Sequence, residues 1–423
     1  MRIAIVGPFS GASLSKMFGV RGAGGTVPEG YPGAPLMTVL ARALVDRGHE
    51  VTAISTDFNA READAPGFET LQFDGLKGYF CPQRARAFRP ARGRLGRAVD
   101  LFAFERAGLV RAILHAAPDI VHAHWTYEFA WAAQDSRFPT LVTAHDSPWK
   151  VVRFMPDAYR LSRYMMARRV LRRSRFITAV SPDLKRDLAA YTDASVAVIA
   201  NPISDELLAC SGCDASCATS GTLMMVLNGW TSLKNASRAL EGFALARRSR
   251  PRLRLVCFGA GYEKGGAANQ WASRRGLAEG VDFRGSVPHE AVLDQARRSV
   301  ALLHPSRWEA CCMAIAEAMS QGLPVIAGRH TDGVPWQLDE GRAGVLVDVE
   351  DIEDIARGIG VLADDTSRWR AVSEASRRRA RAMFAVDNVV DAYLNQYDTV
   401  LGSHRSGDVA MASGSQVISN ART

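Results

Sequence analysis

The chain has 423 residues, which is more than one hydrophobic core usually serves, so its length predicts two domains. Hydrophobic residues make up 47% and charged residues 23%, a composition that excludes an intrinsically disordered chain. No apolar run approaches bilayer-spanning length, and the apolar start at residues 3–6 is too short for a signal peptide. We therefore expect a cytoplasmic protein.

The formal charge of +8 is concentrated in two arginine-rich segments. Arg84 to Arg111 holds eight arginines against two acidic residues, and Arg153 to Arg175 holds eight against Asp157. Because apolar and aromatic residues are interspersed, we predict a peripheral contact with anionic lipid headgroups on the cytoplasmic face of a membrane. The alternative is a solvated basic face. Neither segment resembles a nucleic-acid-binding motif, so no nucleic-acid partner is expected.

The first half alternates short apolar strands with helix-compatible sequence. Strands are predicted at residues 3–6, 51–55, 119–122, 140–144, 176–180 and 196–199. Their unbroken hydrophobicity is typical of a parallel sheet that is covered on both faces.

The same alternation restarts after a small, polar stretch at 209–221 that we interpret as a linker. Strands are predicted at residues 223–227, 253–258, 281–283, 300–304, 324–327 and 343–347. The predicted fold class is therefore α/β, with two Rossmann-like, doubly wound parallel-sheet domains. The predicted boundaries are 1–205 and 206–375 for the two domains, 376–400 for a helix that packs back on the first domain, and 401–423 for a disordered tail.

The most informative stretch is HPSRWEACCMAIAEAMSQGLPVIA, which begins at His304. It predicts a strand, a loop that carries Glu309, and a helix with Glu317 about two turns along it. Carboxylates accept hydrogen bonds from pairs of hydroxyls, so this spacing suits one carboxylate on a sugar and one on a ribose.

The first turn of that helix, near Cys311, Cys312 and Met313, has free backbone N–H groups that can face a diphosphate. The two cysteines are predicted to lie in an apolar setting with no adjacent base. We therefore expect them to pack, and not to act as nucleophiles.

The pattern P-S-x-x-E, seven residues, then E-A-M-x-x-G-x-P-V, resembles the donor signature of retaining GT-B glycosyltransferases, in particular glycosyltransferase family 4. The alternative is an amphipathic helix with two solvated glutamates. The resemblance implies two domains that face each other across a cleft. It also implies transfer of a sugar from a nucleotide-diphosphate sugar to a hydroxyl of a glycan or lipid-linked acceptor, in surface polysaccharide or glycolipid biosynthesis. Retention of configuration, with Glu309 among the catalytic residues, follows from the same resemblance.

Residues 228–235, NGWTSLKN, are similar to the family's phosphate-binding segment, which implies that Lys234 meets the donor diphosphate. This sequence departs from the family at two places. Trp230 stands where many relatives have arginine, and Ala-Cys-Cys follows Glu309 where relatives usually have Gly-Phe-Gly.

In the first half, DIVHAHW resembles the segment that carries an active-site histidine, which implies a catalytic role for His124. A buried, hydrogen-bonded imidazole is the alternative. His145 and Asp146 follow the next strand and are candidates for acceptor contacts.

Three small residues complete the predicted donor site: Gly11 in the first loop, and Gly259 and Ser286 in segments that flank the nucleobase in relatives. A plain turn is equally consistent with each.

No Asp-x-Asp motif or histidine-carboxylate cluster has ligand spacing, so we expect neither a metal nor a cofactor apart from the nucleotide sugar. Other functions remain open: a catalytically silent sugar-nucleotide-binding protein of a polysaccharide assembly complex, and a sugar-nucleotide epimerase or a phosphorylase on the same two-domain scaffold. An NAD-dependent oxidoreductase fits less well, because no G-x-G-x-x-G follows the first strand.

Overall fold

The computed structural model describes residues 1–20, 27–60, 65–91, 93–209, 212–213 and 216–419, with side chains described up to residue 404. The chain divides into two compact units. The first comprises Met1–Val180, Leu184–Ile199 and Val386–Thr423, and the second comprises Ser181–Asp183 and Ala200–Ala385.

The first unit is built on an eight-stranded sheet. Its strands are β1 (Arg2–Val6), β2 (Glu50–Asp57), β3 (Glu69–Phe73), β4 (Leu76–Pro82), β5 (Ile120–His124), β6 (Thr140–Ala144), β7 (Ile177–Ala179) and β8 (Val196–Val198). Their order across the sheet is β3-β4-β2-β1-β5-β6-β7-β8, and only the β3–β4 pair is antiparallel among these strands. The central strands are buried on both faces, as in β1, where residues 3–6 are at most 1% exposed.

The second unit is built on a six-stranded parallel sheet. Its strands are β9 (Thr222–Val226), β10 (Arg254–Phe258), β11 (Val281–Gly285), β12 (Ala301–His304), β13 (Val325–Gly328) and β14 (Val345–Val347). They lie in the order β11-β10-β9-β12-β13-β14. The carboxyl ends of β9 and β12 are therefore neighbours, which brings the loops that follow them together.

Helices connect the strands of both units. They are α1 (Gly11–Phe18), α2 (Pro35–Asp46), α3 (Ala103–Ala116), α4 (Glu128–Asp135), α5 (Pro148–Phe154), α6 (Ala158–Arg173), α7 (Pro182–Leu188), α8 (Asp205–Ala209), α9 (Ala236–Ser249), α10 (Ala267–Arg274), α11 (His289–Ala296), α12 (Met313–Ser320), α13 (Gly333–Gln337), α14 (Ile352–Ala363), α15 (Thr366–Phe384) and α16 (Val386–Ser419). Among the described residues, none of them combines the length and the apolar character that a bilayer-crossing helix needs.

The prediction of two parallel-sheet α/β domains is confirmed. The hairpin of β3 and β4 was not predicted from the sequence. Its signal was the dipeptide Asp74-Gly75 between strands, with Gly75 at a φ of +79° as a tight hairpin turn requires.

The stretch at 209–221 is not a plain linker. Residues 210–211 and 214–215 lie outside the described residues, but Cys213 and Cys217 are buried. Their thiols donate to the carbonyl oxygens of Ala296 and Arg297 at 3.2 and 2.9 Å. These contacts anchor the stretch in the second unit.

The C-terminal helices also differ from the predicted boundaries. Helix α15 belongs to the second unit, and α16, which begins at Val386 and not at 376, belongs to the first. Arg47 of α2 forms ion pairs with Asp387 and Asp391 of α16. Helix α16 continues to Ser419, past the predicted start of a disordered tail at 401, and residues 420–423 lie outside the described residues.

Candidate functional site

Glu309 and Glu317 come from one connection of the second unit. Strand β12 ends at His304, Glu309 lies in the following loop, and α12 begins at Met313. Glu317 is the fifth residue of α12, so it lies just over one turn along the helix and not two turns as predicted. The helix begins later because the loop after Glu309 stays extended, with Cys312 at φ −76° and ψ 118°.

Glu309 forms an ion pair with Lys234, which lies in the loop between β9 and α9. Lys234 Nζ is 2.6 Å from Glu309 Oε1, and the two side chains are 23% and 16% exposed. His304 Nε2 lies 3.2 Å from the same oxygen. Burial alone would raise the pKa of Glu309, but the hydrogen bond from His304 and the charge of Lys234 lower it to about 2. The carboxylate is thus ionised at neutral pH.

Cys312 lies beside His304. Its Sγ is 3.5 Å from His304 Nε2, and the side chains are buried. Burial lowers the pKa of His304, but its contacts with Cys312 and Glu309 outweigh that effect and raise the pKa to about 9. The prediction that no base lies near this cysteine is therefore wrong for Cys312. The spacing H-x4-E-x2-C was the available signal, because the strand end turns His304 toward the loop.

Helix α12 begins without a side-chain cap, as far as the described residues show. The N–H groups of its first turn are thus available to a ligand or to water. The Cys312 N–H, however, donates to Gln337 Oε1 at 2.8 Å, and Gln337 Nε2 donates back to the Cys312 carbonyl oxygen at 3.1 Å. Of the predicted donors, the Cys312 N–H is already bonded, and Met313 is the first residue of α12.

Glu317 has a hydrogen-bond partner that was not predicted from the sequence. His289, the first residue of α11, places Nε2 3.1 Å from Glu317 Oε2. His289 is 52% exposed and the Glu317 side chain 17%. Ser286, in the loop before α11, is exposed. His289 and Glu317 are 28 residues apart in the sequence, so their contact can be seen only in the folded structure.

Trp230 lies in an aromatic group of the second unit. Its ring centroid is 6.0 Å from that of Tyr262 and 5.5 Å from that of Trp271. Gly259 has a φ of +110°, and a Cβ there would lie 1.8 Å from the Leu227 carbonyl oxygen. Glycine at 259 is therefore required by close packing, and its N–H donates to the Gly285 carbonyl oxygen at 2.8 Å.

The first unit contains a stack of three imidazoles, of which those of His122 and His124 are fully buried. His124 Nδ1 lies 2.9 Å from His145 Nε2, and His122 Nε2 lies 2.7 Å from Thr143 Oγ1. Burial lowers the pKa of His145 and of His122 to about 3 and that of His124 well below its usual value. All three rings are therefore neutral at pH 7. His124 is fully buried, and its Nε2 has no hydrogen-bond partner among the described residues.

The ring at the accessible end of this stack is that of His145, which is partly exposed and stacks on Trp125 at 4.2 Å between centroids. Asp146 accepts a hydrogen bond from Tyr127 at 2.7 Å, and burial raises its pKa.

A cavity of about 180 Å³ opens nearby in the same unit. Its walls include Tyr31, Trp125 and Arg163. Arg163 is already paired, because its guanidinium is 3.0 Å from Glu128 Oε2.

Gly11 does not present a free N–H group. It donates to the Glu29 carbonyl oxygen at 3.1 Å, and a Cβ at this position would lie 1.9 Å from the Pro28 carbonyl oxygen. Its place at the start of α1 is explained by close packing against the loop that contains Pro28 and Glu29.

The structure therefore brings together Lys234 and Glu309, with His304 and Cys312 added, and places Glu317 and Met313 on the adjoining helix. His124 and His145 form a separate cluster with Trp125 in the first unit. Cys311 is buried, and burial raises its pKa to about 12.

Comparison with known proteins identifies the family. The profile described as Glycosyl transferases group 1 matches residues 222–379, and that described as Glycosyltransferase Family 4 matches residues 36–207. A D-inositol 3-phosphate glycosyltransferase of Streptomyces avermitilis is 31% identical over 181 residues, which is 41% of this chain and 39% of that protein. The matched part thus spans about two fifths of the relative's length.

Solved structures share the fold over nearly the whole chain. Sucrose-phosphate synthase of Thermosynechococcus elongatus has a TM-score of 0.71 at 16% identity, covering 95% of this chain and 100% of that one. The Anabaena protein HepE, solved with UDP and glucose, has a TM-score of 0.62 at 18% identity, covering 93% and 98%. These likenesses establish the GT-B type of fold. The two family matches, at residues 36–207 and 222–379, show that this chain belongs to glycosyltransferase family 4.

Proposed function

We propose that the second unit binds a nucleotide-diphosphate sugar and that the enzyme transfers the sugar to a hydroxyl of a glycan or lipid-linked acceptor. The transfer retains the anomeric configuration and uses neither a metal ion nor a further cofactor. The observation that carries the proposal is the Lys234–Glu309 ion pair beside the uncapped start of α12. An ammonium group and a row of N–H groups together complement a diphosphate.

Each residue then has a distinct role in donor binding. Lys234 and the N–H groups of α12 stabilise the negative charge that develops on the leaving nucleoside diphosphate. Glu309 accepts hydrogen bonds from the sugar once Lys234 turns to the phosphates. Glu317, already held by His289, accepts from the ribose hydroxyls. Trp230 packs against Tyr262 and Trp271 and forms part of an apolar wall of the donor site.

The first unit supplies the acceptor side. His145 and Asp146 lie on the loop after β6, where α/β sheets expose ligand groups. His124 is fully buried and bonded to His145, so we propose that it orients the His145 ring. A neutral imidazole at His145 can accept a proton or hydrogen bond from a hydroxyl.

The donor site is tested with a panel of UDP-, GDP-, ADP- and TDP-sugars, starting from UDP because HepE was solved with that nucleotide. One donor is expected to raise the unfolding temperature and to undergo slow hydrolysis. A ligand at a hundred times its Kd adds about 2.7 kcal/mol to the free energy of unfolding. Stabilisation without turnover on any acceptor would instead identify a silent binder.

Glu317→Ala is expected to weaken donor affinity about 10- to 100-fold, because a hydrogen bond to a charged group contributes about 1.5–3 kcal/mol. Isothermal titration of the best donor measures the change. Glu374→Ala is the matched control, since Glu374 is a 73%-exposed glutamate on α15 of the same unit. Equal affinities for Glu317→Ala and the control would refute the assignment of the donor site.

We further propose that the first unit contacts anionic membrane through an exposed stripe of α5 and α6. Leu161, Met165, Arg168 and Arg172 follow one another at helical spacing and are exposed, and Trp149 of α5 is 54% exposed. Apolar side chains beside arginines suit the interface of an anionic bilayer.

The two arginine-rich segments do not form one uniform basic face. Arg84 and Arg163 are held in ion pairs with buried glutamates, and residue 92 lies outside the described residues. The exposed residues of the first segment include Phe88, Leu95 and Val99. These exposed apolar side chains also suit the interface of a bilayer.

Arg168→Glu/Arg172→Glu is expected to lower binding to vesicles that contain anionic lipid at least about tenfold, because each basic residue near such a surface contributes about 1 kcal/mol. Co-sedimentation with phosphatidylcholine vesicles, with and without phosphatidylglycerol, measures the partition. Arg370→Glu/Arg378→Glu on α15 is the charge-matched control. If the parent chain fails to sediment with anionic vesicles, or if both double variants lose binding equally, this stripe is not the contact.

A further inference from the structure

Three side chains of residue types that can bind a metal ion lie close together at the proposed donor site. His304 ends β12, Glu309 lies in the following loop, and Cys312 precedes α12; their ligand atoms all lie within 4.8 Å of one another. His304 and Cys312 are 2% and 7% exposed. The backbone of Cys312 is fixed on both sides by Gln337, so the thiol is held in place.

A single ring nitrogen of His304 faces two acceptor atoms. His304 Nε2 is 3.2 Å from Glu309 Oε1 and 3.5 Å from Cys312 Sγ. One N–H group can point at only one of them, so a proton on Nε2 leaves the other contact without a hydrogen bond. A cation at the centre of the three atoms satisfies all of them at once.

Two of the three separations, those from His304 Nε2, are close to those of a tetrahedral zinc site. With Zn–N near 2.05 Å, Zn–O near 2.1 Å and Zn–S near 2.3 Å, tetrahedral geometry places N and O about 3.4 Å apart and N and S about 3.6 Å apart. The observed separations of 3.2 and 3.5 Å are close to both values. The imidazole and thiolate ligands select zinc-like ions, because Mg²⁺ and Ca²⁺ prefer oxygen ligands.

We propose that His304, Glu309 and Cys312 form a binding site for a thiol-preferring divalent cation such as Zn²⁺, with the fourth coordination position open. The partial exposure of Glu309, at 16%, leaves one side of the site accessible. Neither the transfer reaction nor the family assignment requires this ion.

Lys234 competes with the cation. Its Nζ is 2.6 Å from Glu309 Oε1, the same oxygen that the metal would bind. An occupied site therefore separates Lys234 from Glu309, and removal of the ammonium favours the metal. Because Glu309 cannot hold a metal and a donor sugar together, Zn²⁺ and the nucleotide sugar exclude one another; this last step rests on the proposed function.

The site is tested with the full chain, stripped of metals and kept reduced with a phosphine, and with Zn²⁺ or Co²⁺ alone as the probe. Equilibrium dialysis should show one Zn²⁺ bound per parent chain. The Cys312→Ser and His304→Ala variants should not bind this ion. Co²⁺ should give the near-ultraviolet thiolate-to-metal band in the parent chain. Cys311→Ser is the matched control and should keep both signals, since it changes the neighbouring buried thiol.

The response to a substitution of Lys234 distinguishes this site from adventitious binding. Lys234→Met should bind Co²⁺ at least about tenfold more tightly, because the ammonium group of Lys234 repels the cation and competes with it for Glu309 Oε1. Thermal unfolding of each variant establishes that it is folded. A folded Cys312→Ser variant that binds Zn²⁺ as the parent does, or no thiolate band with Co²⁺, would overturn the proposal.

A final titration separates the two proposals. Zn²⁺ should weaken nucleotide-sugar affinity in the parent chain, and Cys312→Ser should show no such response relative to its own metal-free affinity. If Zn²⁺ binds through Cys312 but donor affinity is unchanged, the metal site stands and the placing of the donor sugar at Glu309 is wrong.

Discussion

Lys234→Met is expected to lower the rate of donor hydrolysis or transfer by about 10²- to 10³-fold. Removal of one preorganised group that stabilises transition-state charge typically has an effect of this size. In this protein, Lys234 is a mostly buried ammonium 2.6 Å from Glu309, beside the uncapped start of α12. The substitution removes the only lysine of this cluster, so the diphosphate would be stabilised by helix N–H groups alone.

The measurement is single-turnover hydrolysis of the best donor, with donor affinity from titration. Lys185→Met, which removes an exposed lysine on α7, is the control and should match the parent rate. Burial lowers the pKa of Lys234, but the charge of Glu309 more than compensates and raises it, so the ammonium form persists at neutral pH. A folded Lys234→Met variant with parental turnover would contradict the role in phosphate stabilisation.

Arg84→Met is expected to lower the free energy of unfolding by about 3–5 kcal/mol, the usual result of breaking a buried ion pair from one side. Arg84 is 4% exposed and lies between two carboxylates: its guanidinium is 2.7 Å from Glu105 Oε2 and 2.7 Å from Asp100 Oδ2. Glu105 is fully buried, so the variant leaves its charge without a cation, with the backbone N–H of residue 84 still donating to it at 2.8 Å.

Urea unfolding of the purified variant measures the loss. Arg89→Met is the matched control, because Arg89 is an exposed arginine of the same segment and its removal should change stability by less than about 0.5 kcal/mol. If Arg84→Met does not fold, Arg84→Met/Glu105→Gln, which removes both charges, should recover soluble protein. A loss below about 1 kcal/mol for Arg84→Met would show that the network contributes little.

The strands could be predicted because each is a short apolar run, and burial on both faces of a parallel sheet leaves that pattern in the sequence. The β3–β4 hairpin was missed because β3 alternates buried and exposed residues and so lacks such a run. Residues 209–221 were interpreted as a linker because they are small and polar, whereas Cys213 and Cys217 are anchored to the last residue of α11 and to the residue that follows it.

Among the site residues, Glu309 and Glu317 could be identified because they are separated by a fixed local spacing on one connection. The partners of these residues could not. His289 reaches Glu317 across 28 residues, and Gln337 reaches Cys312 across 25. Arg84 was counted as part of a basic surface because a charge count does not show which arginines have buried carboxylates as partners.

The sequence by itself determined the two α/β domains, the glutamate-bearing connection and the resemblance to family 4, because these depend on local periodicity and spacing. Only the tertiary structure decided that Lys234 and His304 contact the same oxygen of Glu309 and that Cys312 lies beside His304. It also decided that His124 is buried and contacts His145. The reason is physical: hydrogen bonds and ion pairs act over about 3 Å, and which groups come within that distance is fixed by the packing of strands and helices that are far apart in the chain.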